Sequence, residues 1–124
     1  MTVRRLGILQ WLGLLVGAGV WAAQHIIGFG VTQAECAVGG RHWGISNDVW
    51  QGALMGAAAF VVAGAAVASV GVIIGTRSTS YDSEPPLARM RFFAIAAVVA
   101  NVIFLMIILL DGVASIVNVE CRQG

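Results

Sequence analysis

Residues 51–75 read QGALMGAAAFVVAGAAVASVGVIIG and hold no charged side chain. A helix rises about 1.5 Å per residue, so roughly 20 residues cross the hydrocarbon of a bilayer. Inside lipid the backbone must satisfy its own hydrogen bonds, which makes a helix the conformation expected for such a stretch. Two more stretches of the same kind flank it. Residues 6–29 are apolar apart from Gln10, Gln24 and His25, and residues 92–116 contain Asn101 and Asp111 among Val, Ile, Leu and Phe. The expectation is an all-α membrane protein: a single domain over residues 1–124, folded as a three-helix transmembrane bundle. Residues 30–50 form one connecting loop and residues 76–91 the other. About forty residues remain outside the spans, too few to bury a core of their own.

Composition agrees. Of the 124 residues, 59% are hydrophobic and 10% charged, against about 25% charged in a soluble domain. The net charge is +1, and all seven basic residues are Arg. They are scattered rather than clustered with aromatics, so nucleic-acid binding is not expected.

The Arg residues give the direction. Arg4, Arg5, Arg77, Arg89 and Arg91 flank one side of the spans, and Arg41 and Arg122 the other. Basic residues accumulate on the cytoplasmic side, so the N-terminus and the 76–91 loop are expected inside and the C-terminus outside. Trp43 and Trp50 then fall at the outer interface, which suits their amphipathic rings. Met1 to Ala23 also has the layout of a signal peptide, with basic residues, an apolar run and an Ala22-Ala23 end. The apolar run is longer than the 7–15 residues or so of such a leader, so a retained span is expected. These features point to a multi-pass protein of a bacterial cytoplasmic (inner) membrane.

The loops carry helix signals. Gly39-Gly40 marks a turn. Ser46-Asn47-Asp48 offers a cap and a first-turn acid for the second span. Ser83-Glu84-Pro85-Pro86 reads as a helix start, with the third helix beginning near Glu84 and Arg89 and Arg91 at the lipid headgroups.

Small and polar residues recur every three or four positions in the first span, at Gln10, Gly13, Gly17, Trp21, Gln24 and Gly28. The second span has Gly52 and Gly56, then Gly64, Ala68, Gly71 and Gly75. Such spacing lets helix backbones approach closely. Three helices cannot use every small face internally, so the surplus points to another membrane subunit. The alternative is that Gly and Ala are simply abundant in this chain.

Two constellations carry possible chemistry. Cys36 follows the first span and Cys121 the third, both on the oxidising side, where a disulfide is expected. The alternative is a copper site built from Cys36, Cys121 and His42, since thiolate and imidazole suit copper. Counted from the outer ends of their spans, His25 and Asp111 lie at matching depth, about 6–8 Å inside. Ionisable groups there are costly unless paired, so a buried His25–Asp111 hydrogen bond between the first and third helices is expected. The functional alternative is a proton-handling or quinone-head site. Asn101 and Gln10 are expected to bond between helices. No catalytic triad, His-x-x-x-His pair or phosphate loop appears, so neither a catalytic residue nor a resident cofactor or metal is assigned.

Trp21-Ala22-Ala23-Gln24-His25, Gly28-Phe29-Gly30 and Cys36, with Asp111 late in the last span and Cys121 in the tail, resemble a loose group of small three-helix bacterial membrane proteins. Members are encoded near haem–copper cytochrome c oxidases. The resemblance covers both ends of the chain and not the 76–91 loop. It implies a respiratory setting and carries no catalytic residue. The reading that follows is a non-catalytic accessory subunit of a membrane complex, with lipid and other integral membrane subunits as partners. An oxidase assembly factor that handles copper is the alternative.

Overall fold

A computed structural model describes residues 2–37, 44–117 and 121. Its helices are α1 (Val3–Cys36), α2 (Asn47–Gly75) and α3 (Leu87–Val117). All three are long and apolar enough to cross a membrane. Each exceeds its hydropathy-defined span of 6–29, 51–75 or 92–116. At 34 residues, α1 extends about 50 Å, well beyond the roughly 30 Å of hydrocarbon.

The helices run up, down and up. Leu6 near the start of α1 packs with Val72 late in α2 and Ala94 early in α3. Toward the other end, Ala58, Val62 and Ile108 form a second apolar cluster with Val20, Trp21 and Phe104 against it. Between these clusters lies a buried polar layer. Asn101 Nδ2 donates to the Gly13 carbonyl at 2.8 Å, and Ser69 Oγ donates to the Ala65 carbonyl of its own helix at 2.9 Å.

Glycine makes that layer possible. A Cβ on Gly13 would strike the Ser69 side chain, and one on Gly17 would strike Asn101 Oδ1. Gly112 likewise accommodates Met55, whose Sδ would stand 2.5 Å from an added Cβ. The buried positions of α1, Leu6, Gln10, Gly13, Gly17, Gln24 and Gly28, follow the stripe read from the sequence, except that Trp21 is half-buried.

In α2 the small residues divide between faces. Its inward face is Gln51, Ala58, Val62, Ala65, Ser69 and Val72, at spacings of three, four and seven. Gly52, Gly56, Gly64 and Gly71 fall on other faces, and a Cβ on any of them would meet nothing within 4 Å. Within the chain they are not packing glycines. Gly75 does touch a neighbour, with Leu6 Cδ2 at 3.0 Å from an added Cβ.

The start of α3 also differs. The helix begins at Leu87 rather than near Glu84, and its first turn holds no acid. The Pro85–Pro86 bond is cis. A residue before proline is pushed away from the helical region, so Pro85 resists joining the helix. Pro86 instead supplies the carbonyl that accepts the Met90 N–H, at 3.0 Å.

Arg91 faces the segment that follows α2. Its guanidinium donates to the carbonyls of Thr79 at 2.8 Å and Arg77 at 3.3 Å, and lies 4.8 Å over the Tyr81 ring. It holds the segment after α2 against α3, while Arg89 stays exposed. Ser46 sits at the α2 cap, where its carbonyl accepts the Trp50 N–H at 3.2 Å, but its side chain makes no capping bond. Gly39-Gly40, Arg41, His42, Trp43 and Arg122 lie outside the described residues.

Candidate functional site

The polar residues gather at the end of the bundle where α1 and α3 finish and α2 begins. Cys36, the last residue of α1, is bonded to Cys121, with 5.4 Å between the Cα atoms. The disulfide draws the ends of α1 and α3 together. With both sulfurs in the bond, neither is a thiolate ligand for copper. Among the described residues, no group of three His, Cys, Asp or Glu could hold a metal ion; His42 lies outside them.

One layer deeper, His25 Nδ1 stands 3.2 Å from Asp111 Oδ2. The pairing across α1 and α3 is present, but the word buried needs correction: the side chains are 59% and 31% exposed. The reason is helical phase. Gln24 occupies the inward position of α1 and is 5% exposed, and the next residue is turned about 100° around the axis. His25 therefore reaches Asp111 along the outer flank of the α1–α3 seam. Trp21, one turn earlier, stacks on it with ring centroids 6.1 Å apart.

Opposite this pair lies a cluster that the sequence did not single out. Gln51 Nε2 donates to the Gly28 carbonyl at 2.9 Å and to Thr32 Oγ1 at 3.0 Å. The Thr32 hydroxyl lies 3.1 Å from the Gly28 carbonyl and 3.4 Å from Asn47 Oδ1. Gln51 is 2% exposed and Asn47 3%, so this is an interior polar network joining α1 to α2. Its sequence signal was a Gly and a Thr four apart on α1, facing a Gln and an Asn four apart at the start of α2.

Between the two polar groups is a cleft of about 330 Å³, lined by Gln24, His25, Phe29, Thr32, Gln51, Asp111 and Ser115 among others. That volume lies at the lower end of the range for small-molecule sites, about 300–1,000 Å³. Gln24 is the least satisfied of these residues. Its Nε2 makes only a long 3.5 Å contact with the Ile108 carbonyl, and its buried Oε1 has no hydrogen-bond partner among the described residues. An unmet buried acceptor costs about 1–3 kcal/mol. Among the described residues the lining of the cleft contributes one carboxylate, that of Asp111, and no Arg or Lys. What it can do chemically is hold a hydrogen-bond donor at the end of the bundle.

No protein family, curated protein or solved structure matches the chain.

Proposed function

We propose that the protein is a non-catalytic accessory subunit of a larger assembly in a bacterial cytoplasmic membrane, with its N-terminus inside and its C-terminus outside. The observation that carries this reading is the unused glycine face of α2. Gly52, Gly56, Gly64 and Gly71 have open space where a side chain would stand, while Phe60, between Gly56 and Gly64, projects at 82% exposure. Grooves cut by glycine in apolar helices suit the close approach of another transmembrane helix. Facing lipid, they forgo that packing.

The direction is supported from both ends. Arg4, Arg5, Arg77, Arg89 and Arg91 belong to the end where α1 and α3 begin and α2 finishes, as cytoplasmic segments require. The disulfide lies at the opposite end, as an oxidising compartment requires. A respiratory oxidase is the first assembly to look for, on the strength of the sequence resemblance.

Mild solubilisation of native membranes, followed by affinity capture of the chain, tests the reading. The expected result is stoichiometric copurification of a larger membrane protein, lost in Gly56→Leu and Gly64→Leu while the bundle itself stays folded. Haem absorbance together with oxygen consumption in the captured fraction identifies an oxidase. Recovery of the wild-type chain alone overturns the proposal.

A further inference from the structure

We propose that the α1–α3 seam, at the bundle end opposite the disulfide, binds an anionic phospholipid whose phosphate lies between the Arg4 and Arg89 guanidiniums. The case begins with helix phase. His25 meets Asp111 across this seam at 3.2 Å, which fixes the faces that α1 and α3 turn along it. Arg4, Trp11, Ala18 and His25 follow one another at intervals of seven residues, close to two helical turns, so they share one face of α1. On α3, Phe93 lies 18 residues before Asp111, which is five turns, and Arg89 lies about one turn before Phe93. The helices also meet at this end of the seam, where a Cβ on Gly7 would lie 3.6 Å from Met90 Cε. Arg4 and Arg89 therefore stand on the two banks of one furrow.

The charges there are unmet. Arg4 and Arg89 are exposed, and among the described residues neither has a carboxylate within ion-pair distance. Arg91, by contrast, is turned to the other flank of α3 and engaged by the carbonyls of Arg77 and Thr79. This end carries Arg4, Arg5, Arg77, Arg89 and Arg91 against Asp82 and Glu84, so the ligand it attracts is an anion. Depth selects a lipid. The apolar runs start at Leu6 and Phe92, which puts Arg4 and Arg89 about 3–5 Å outside them, at the level of headgroup phosphates. Trp11 and Phe93 lie deeper on the same banks. Trp11 is 59% exposed and offers apolar surface to an acyl chain that descends from that headgroup. A guanidinium presents paired N–H donors to phosphate oxygens. A headgroup without an ammonium of its own keeps the full negative charge that two arginines favour. The furrow lies across the bundle from the outward glycine face of α2, so this inference and the subunit reading stand or fall separately.

The test uses the full purified chain, offered phosphatidylglycerol, phosphatidylethanolamine and phosphatidylcholine in equal amounts. Native mass spectrometry counts the lipids retained. Phosphatidylglycerol is expected to be retained about tenfold over either zwitterionic lipid, in keeping with the attraction of two arginines at a membrane surface. The ratio is expected to fall to about one in the double variant Arg4→Gln/Arg89→Gln. It is expected to hold within about twofold in Arg5→Gln/Arg77→Gln, which removes the same charge away from the seam. Persistence of the Cys36–Cys121 bond and of helical circular dichroism shows that each variant is folded. A photoreactive phosphatidylglycerol is expected to label the wild type beside Arg4 and Arg89, which locates the site without any variant. Equal retention of the three lipids overturns the proposal, as does an equal fall in both folded double variants or labelling only away from the two arginines. Complete displacement of the lipid by an equal amount of free glycerol phosphate assigns the site to a soluble anion and overturns the lipid source.

Discussion

Gln51 bonds to the backbone of Gly28 across the α1–α2 interface because Gly28 has no side chain. The amide nitrogen stands 2.9 Å from the Gly28 carbonyl, and a Cβ on Gly28 would lie 2.8 Å from Gln51 Oε1. The contact links a helix interior on α1 to the first turns of α2. It belongs to the group of polar interactions that hold one end of the bundle.

Gly28→Ala is expected to force Gln51 aside and to break its bonds to Gly28 and Thr32. Overpacking and loss of a buried bond each cost about 1–3 kcal/mol. The loss is to be read from detergent-induced unfolding of the purified chain, and an unchanged midpoint contradicts this account of Gly28.

The two kinds of glycine should separate in the same measurement. Gly17→Leu drives a side chain into Asn101, whereas Gly64→Leu enters open space. The first is expected to destabilise the isolated chain by several kcal/mol, in line with severe overpacking, and the second by less than about 0.5 kcal/mol. Equal effects contradict the orientation assigned to α2.

Asn101→Leu removes the donor to the Gly13 carbonyl at 2.8 Å. Interhelical hydrogen bonds in membranes contribute about 0.6 kcal/mol on average and up to about 1.7. Asn101 is 1% exposed, so the larger leucine also has to fit a closed space. The expected loss is about 1–2 kcal/mol, and a gain in stability rules out a structural role for this bond.

Cys36 and Cys121 should resist maleimide labelling until the protein is reduced, and each single Ser variant should label at the remaining thiol without reduction. The bond spans a sequence separation of 85. Its removal costs at most about 4–5 kcal/mol in the chain-entropy picture, and less where the bilayer already confines the chain. Labelling of the unreduced wild type contradicts the pairing.

Arg91→Lys is expected to loosen the segment after α2. Both carbonyls accept from the same nitrogen, Nη1, and a lysine that reached them would still lack the flat guanidinium face that lies over Tyr81. Trypsin cleavage after Arg77 and Arg89 should accelerate in inside-out vesicles and not in right-side-out ones, which also tests the orientation. Equal cleavage of the variant and the wild type dismisses the anchoring role.

The fold was legible because hydropathy responds to the solvent, and a charge-free run such as residues 51–75 has one common fate in lipid. The His25–Asp111 pairing was legible from depth, since both residues sit a similar distance from the ends of their helices. Its exposure was not, because depth says nothing about rotation: Gln24 took the inward position and turned His25 outward. The Gln51–Gly28–Thr32 cluster escaped notice for a related reason. Polar residues at the end of a span look like the edge of a loop, and only the extra turns of α1 beyond residue 29 bring Thr32 level with Gln51. Pro86 set the start of α3 by restricting Pro85, against the reading of Ser83-Glu84-Pro85-Pro86 as a cap, an acid and first-turn prolines that favoured Glu84.

The bond between Cys36 and Cys121 makes the path from the end of α1 to the tail a closed ring, with α2 and α3 strung along it. A single backbone cut in the segment between α1 and α2, or in the segment between α2 and α3, leaves two chains still joined through the disulfide, with every helix retained. Losing a helix from the assembly therefore takes either two cuts or one cut and a reductant. The bundle is armoured against a lone protease event on either side of the membrane.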